Sequence, residues 1–137
     1  MFLIDTNVIS EIRKGKNAHR GVLGFFKRNA DEERMYLTVQ TIGELRQGVE
    51  RVRDRGDTVQ AQQLERWLDS VLQDYSDRIL DFDAESAQVW GRLMSPNNQH
   101  PIDKQIAAIA LIHDLTVVTR NVADFDQTGV RIIDPFA

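Results

Sequence analysis

The stretch Phe2-Leu3-Ile4-Asp5-Thr6-Asn7-Val8 sets the pattern for the whole chain. A short apolar run ends abruptly in Asp-Thr-Asn, a cluster of small polar side chains suited to capping a helix. Val8, Ile9 and Ile12 then share one helical face, which stops near Gly15. A strand that runs straight into a helix is the repeating unit of an α/β fold, and the same unit returns further along.

Residues 35–39 (MYLTV) are short and rich in β-favouring types, and read as a strand. Thr41 then begins a helix carrying Leu45, Val49 and Val52, which ends before Gly56. Between these two units, Val22, Phe25 and Phe26 make an apolar stripe on a helix over residues 18–27, weakened by Gly21 and Gly24. Leu64, Trp67, Leu68, Val71, Leu72 and Tyr75 follow helical spacing without a break. Residues 78–82 (RILDF) suit a strand, 84–94 a helix and 95–99 a loop. Pro101 fits the first turn of a helix reaching residue 113. Residues 116–119 (TVVT) and 130–133 (VRII) complete the strands before Pro135. The expectation is a three-layer α/β sandwich around a central, mostly parallel sheet, with residues 1–137 as a single domain.

Composition narrows the function. The chain has 137 residues, 42% apolar and 28% charged, which is the profile of a soluble globular protein. No apolar run approaches the roughly 18 residues of a membrane span, and the opening residues lack the basic and apolar regions of a signal peptide. A cytoplasmic location is expected. The absence of cysteine excludes disulfides, a thiolate nucleophile and a thiolate zinc site. A formal charge of -4 runs against the basic character usual in nucleic-acid binders. A site built from carboxylates would itself make the chain acidic, and bound cations would reverse the local sign.

Acidic and amide groups recur where strands end or helices begin, the rim on which open α/β sheets build their sites. Asp5 follows the first strand; Asp also caps helices well. Glu44 lies near the start of the third helix, where Thr41-Ile42-Gly43-Glu44 fits a capping box. Asp103 occupies the first turn after Pro101, where a carboxylate complements the helix dipole. Asn121 and Asp124 follow the fourth strand and equally suit a turn. Taken together, they suggest a site for Mg²⁺ or Mn²⁺, hard cations that prefer oxygen ligands and relieve repulsion between clustered carboxylates. Such ions activate water and stabilise charge on a phosphodiester, so no side-chain nucleophile is needed. Ala107 and Ala110 lie on the same helical face as Asp103, a small-residue stripe that allows close approach, while Ile102, Ile106 and Ile109 form an apolar anchoring row.

Four stretches carry a resemblance: 3–8 (LIDTNV), 41–48 (TIGELRQG), 103–110 (DKQIAAIA) and 119–125 (TRNVADF). The closing Gly129-Val130 and Asp134-Pro135-Phe136 add to it. In this order they resemble the PIN-domain family, of the VapC/FitB toxin type, over nearly the whole chain. The resemblance implies a parallel sheet flanked by helices and a Mg²⁺- or Mn²⁺-dependent ribonuclease. It implies that Asp5, Glu44 and Asp103 bind metal and take part in catalysis. The position often filled by a fourth acid is Asn121 here, with Asp124 one turn later as the alternative catalytic and metal-binding residue. It also implies a homodimer, an RNA substrate and a small VapB-like antitoxin encoded nearby.

Thr6, Asn7, Thr119 and Arg120 are candidates for steadying metal-bound waters or touching RNA. Arg13, Lys14 and Lys16, and Arg46, Arg51, Arg53 and Arg55, read either as phosphate contacts or as solvated helix surface. His19, His100 and His113 show no ligand spacing with one another, and Trp67 and Trp90 fall in apolar stripes that suit the core. Two rival functions stand beside the nuclease. One is an inactive PIN-like RNA- or protein-binding module, favoured by the missing charge at Asn121. The other is an aspartate-based phosphotransferase or phosphatase using Asp5. The usual Asp-x-Asp of the dehalogenase type is Asp5-Thr6-Asn7 here.

Overall fold

A computed structural model describes the backbone of all 137 residues and the side chains of all but Glu32. In chain order the elements are β1 (Phe2–Ile4), α1 (Thr6–Ile12), α2 (Arg20–Arg28), β2 (Met35–Thr38), α3 (Val39–Asp54) and α4 (Thr58–Asp74). They continue with β3 (Ile79–Leu80), α5 (Ala84–Met94), α6 (Pro101–Ile112), β4 (Thr116–Val118) and β5 (Ile132–Ile133). Short 3-10 turns cover Gly15–Asn17, Glu32–Arg34 and Val122–Phe125.

The strands form one sheet in the order β3-β2-β1-β4-β5, and every neighbouring pair is parallel. Phe2 pairs with Met35 on one side of β1 and with Thr116 on the other. The chain therefore lays β2 and β3 to one side of β1 and then crosses to lay β4 and β5 on the other. The crevice between the carboxyl ends of β1 and β4 is the topological switch point, where such sheets hold their ligands.

Alternation along the strands divides the core in two. Ile4, Met35, Leu37 and Val118 face α1 to α4, where Val8, Val22, Phe25, Leu45, Val49 and Leu68 are buried with them. Leu3 and Val117 face the opposite side and meet Ile106, Ala107, Ala110 and Phe125. The architecture is thus the expected three-layer α/β sandwich.

Several local expectations change. Thr38, not Thr41, caps α3: its side chain accepts from Thr41 N at 3.2 Å. The strand hands over to the helix sooner than the run of β-branched residues suggests, so Glu44 falls beyond the first turn and no capping box forms. A threonine cap of this kind contributes about 1 kcal/mol. α2 starts at Arg20 because His19 Nδ1 accepts from Gly21 N at 3.0 Å. Only two residues each of β3 and β5 join the ladder. Ala107 and Ala110 are fully buried in the core, whereas Ile102 is exposed. Arg46 and Arg53 form ion pairs with Glu50 and Glu65 that link α3 to α4, so for these two the surface reading holds.

Gly21 has a definite steric role. A Cβ there would lie 2.0 Å from the carbonyl oxygen of Pro135, so the closing segment of the chain sits directly against α2. No helix among the described residues is long and apolar enough to cross a membrane.

Candidate active site

Asp5 is buried at the end of β1, where it caps α1 by accepting from Thr6 N at 2.8 Å through Oδ1. Its Oδ2 accepts from Thr119 Oγ1 at 2.8 Å and from Asn7 Nδ2 at 3.3 Å. Thr119, fully buried just past β4, also accepts from Asn7 Nδ2 at 3.2 Å and from Asn121 N at 3.0 Å. Its single hydroxyl proton and both lone pairs are therefore used. Asn7 Oδ1 accepts from Arg120 N at 3.0 Å. This network locks the ends of β1 and β4 together. The capping and site readings of Asp5 are compatible, since the same carboxylate that caps α1 also faces the crevice.

α3 brings Glu44 alongside. Thr6 Oγ1 donates to Glu44 Oε1 at 2.7 Å and lies 3.0 Å from Thr41 Oγ1. α6 enters from the other face of the sheet and carries Asp103 in its first turn. Asp5, Thr6, Asn7, Glu44, Asp103 and Asn121 line one cleft of about 240 Å³. None of these lining residues is basic.

The electrostatics follow from that crowding. Burial pushes the Asp103 carboxyl up to about 7, and the negative charges of Asp5, Asp124 and Glu44 and a hydrogen bond to Asp124 add to the effect. Burial also raises Asp5 above the ordinary carboxylate range, against the lowering contacts from Thr119, Thr6 N and Asn7, while the charge of Glu44 adds to the rise. Three carboxylates in one cleft, with hydroxyl and amide side chains beside them and no basic residue in the lining, fit a hard divalent cation, whose charge would offset their repulsion.

The two candidates for the fourth position separate. Asn121 lines the cleft with Asp5, Glu44 and Asp103. Asp124, in the 3-10 turn Val122–Phe125, instead hydrogen-bonds Asp103 and faces His100, with Asp124 Oδ1 3.5 Å from His100 Nε2. Donor atoms of His100, Asp103 and Asp124 lie within 4.8 Å of one another. No local pattern singles out His100, because the histidines share no ligand spacing. Its only clue is its place just before Pro101, at the head of the helix bearing Asp103. His100 caps α6 in a left-handed conformation (φ 55, ψ 55) with no side-chain cap bond, and its imidazole is directed at Asp124.

Arg120 contributes its backbone to the network, while its guanidinium lies 3.9 Å over the ring of Phe136. Lys14 pairs with Glu11 at 3.0 Å. Trp67 packs against the core from a partly buried position, and Trp90 Nε1 donates to Pro101 O at 3.1 Å.

Comparison with known proteins gives a consistent result. The PIN domain family matches residues 2–130. The chain is 32% identical over 142 residues to the VapC ribonuclease Y4jK of Sinorhizobium fredii, covering 99% of this chain and 98% of that one. It is 33% identical over 142 residues to the toxin FitB of Neisseria gonorrhoeae, covering 99% of both. Its fold is similar to the crystal structure of FitAcB from Neisseria gonorrhoeae, with a TM-score of 0.82, 32% identity and 99% coverage of each chain.

Proposed function

The chain belongs to the PIN domain family, and on that footing we propose that it is a divalent-metal-dependent endoribonuclease, the toxin of a toxin–antitoxin pair. One observation carries the reading at the level of this chain's own residues. Asp5, Glu44, Asp103 and Asn121, drawn from four distant segments, line a single oxygen-rich cleft at the switch point of the sheet. The similarity to a VapC ribonuclease and to the toxin FitB supports the same activity.

Asp5, Glu44 and Asp103 would hold Mg²⁺ or Mn²⁺, with Asn121 offering a carbonyl oxygen or orienting a water. When bound, such an ion polarises a phosphodiester oxygen and lowers the pKa of a water molecule. The protein's own groups do the positioning. Thr119 and Asn7 hold one oxygen of Asp5 and Thr6 N holds the other, so the carboxylate cannot rotate. Thr6 does the same for Glu44. Asp103, held up to about 7 by burial and the neighbouring carboxylates and sharing a hydrogen bond with Asp124, would have to give up its proton to serve as a ligand. Asp124, beside Asp103 and facing His100, would be the neighbouring side chain placed to orient a water at the site.

The partner in this reading is a small antitoxin protein, with RNA as substrate, a homodimer as the assembly and the cytoplasm as the place of action. The uncharged Asn121 favours one second reading, a PIN-like module that binds RNA or protein without cutting. Purified protein should cleave RNA with Mg²⁺ or Mn²⁺ and stop when EDTA is added. Asp5→Asn and Asp103→Asn should abolish cleavage and keep a cooperative melt. If the parent cuts nothing while binding RNA, the non-catalytic module is correct. Loss of cleavage in Asn121→Ala but not in Asp124→Asn assigns the fourth position to Asn121, and the reverse assigns it to Asp124.

A further inference from the structure

His100 Nε2 and Asp124 Oδ1 stand 3.5 Å apart, too far for a strong charge-assisted hydrogen bond, which spans about 2.7–2.9 Å. Two donors that share one ion, each about 2.0–2.2 Å from it, stand about 3–4 Å from one another. Donor atoms of His100, Asp103 and Asp124 all lie within 4.8 Å of one another. The trio is one imidazole with two carboxylates, a mixed donor set rather than a plain acidic patch. Asp103 also lines the acid cleft, so the trio adjoins it.

The imidazole is held in this place by its surroundings. His100 has a left-handed backbone (φ 55), a conformation that persists in a side-chain-bearing residue only where neighbouring structure enforces it. Lys104, buried one turn into α6, donates to Asn97 O at 2.6 Å and to Asn97 Oδ1 at 3.0 Å. Asn97 Oδ1 also accepts from Gln99 N at 2.9 Å. These contacts pin the loop before His100 to the helix that carries Asp103. His100 spends no side-chain bond on capping that helix, which leaves its ring directed at Asp124. His100 and Asp124 line an open hollow of about 160 Å³, room for an ion that keeps several waters. Lys104 lines the same hollow, but its ammonium is taken up by Asn97, and Asp126 adds a further carboxylate.

We propose that His100 is a nitrogen ligand for a divalent cation bound on the Asp124 side of Asp103, and that it biases the centre toward transition metals over Mg²⁺. This rests on the reading of the acid cleft as a metal site, which it extends by one ligand of different chemistry. Mg²⁺ seeks oxygen donors, whereas imidazole suits Zn²⁺, Co²⁺ and Ni²⁺, and Mn²⁺ falls between. An imidazole beside two carboxylates therefore raises the affinity for Co²⁺ or Zn²⁺ more than that for Mg²⁺. Asp124 has two oxygens, so one can meet the ion while the other faces water.

The test uses Co²⁺ as the probe and protein without a histidine tag. Proton NMR of the Co²⁺-loaded protein should show a strongly shifted imidazole N–H resonance, the mark of a histidine bound to a paramagnetic ion. Asparagine tolerates a left-handed backbone, so His100→Asn removes the nitrogen donor and keeps the loop, as an unchanged melt would verify. The variant should lose the resonance, and the ratio of Co²⁺ to Mg²⁺ affinity by calorimetry should fall at least about tenfold. Absence of the resonance in the parent, its survival in His100→Asn, or an unchanged affinity ratio overturns the inference. RNA cleavage in Mg²⁺ without the resonance leaves the nuclease standing and removes His100 from the metal. The resonance in a protein that cuts no RNA keeps His100 as a ligand and removes the nuclease.

Discussion

Thr119 Oγ1 donates to Asp5 Oδ2 at 2.8 Å, joining residues 114 positions apart at the carboxyl ends of β1 and β4. The bond sits in the interior, with Thr119 fully buried. It both closes the sheet's central crevice and fixes the orientation of the most enclosed carboxylate in the site.

Thr119→Val keeps the shape and removes the hydroxyl. Asp5 Oδ2 loses a donor, while Asn7 Nδ2 and Asn121 N lose an acceptor. The variant should lose about 1–3 kcal/mol in urea denaturation. Thr119 is also the largest of the contacts that lower the Asp5 pKa, so its loss moves that carboxyl further up. The acid limb of the cleavage profile should shift to higher pH, and an unmoved limb would refute the link.

Asp103 gives a pH dependence of defined sign. In the folded, metal-free protein its carboxyl is raised from 3.8 to about 7, so the folded state binds the extra proton between those values. Stability therefore falls as pH rises through this window, and the penalty is complete above it. In EDTA, Asp103→Asn should match the parent near pH 4 and exceed it near pH 8. Thermal melts across the range decide the matter, and parallel curves for the two proteins would be the wrong result.

Cation binding should invert that trend. Saturating Mn²⁺ or Mg²⁺ stabilises the parent by about 2.7 kcal/mol at a hundred times the dissociation constant. The affinity should rise with pH as the proton on Asp103 is lost. Glu44→Gln and Asp5→Asn should remove most of the metal-induced increase in Tm. Calorimetric titration in two buffers of different ionisation heat would count the proton released.

Two glycine substitutions should act in opposite directions. Gly48→Ala meets nothing within 4 Å and should stabilise the protein by about 0.5–1 kcal/mol. Gly21→Ala would place its Cβ 2.0 Å from Pro135 O and should destabilise by about 1–3 kcal/mol. The second change should also loosen Phe136 from Arg120, because Pro135 precedes the ring on which that guanidinium rests. A pair of Tm values tests both.

The order of strands and helices was readable because each strand is an apolar run cut off by a polar cap, as at Ile4 and Asp5. The handover from β2 to α3 was misread because Thr38, Val39 and Thr41 all favour strands, and only the hydrogen bond from Thr41 N to Thr38 reveals the cap. Pairing decided the length of β5, since Ile132 and Ile133 are the residues in register with Val117 and Val118 of β4. Asp5, Glu44 and Asp103 could be suspected one at a time from their places at element ends. Their meeting depends on strand order, which no local pattern encodes. The division of labour between Asn121 and Asp124 depends on a 3-10 turn that follows β4 after three intervening residues, and its start at Val122 leaves Asn121 in the cleft and swings Asp124 toward His100.

Because all the strand pairings are parallel, the amino ends of β2, β3 and β4 gather on the edge opposite the acids. The turn at Ser76-Asp77 and the exposed corner at Asp114 therefore lie a full strand length from the chemistry. A reporter dye or a short peptide grafted at Asp77 should leave turnover unchanged, which makes that corner the natural handle for tethering the enzyme without blocking it.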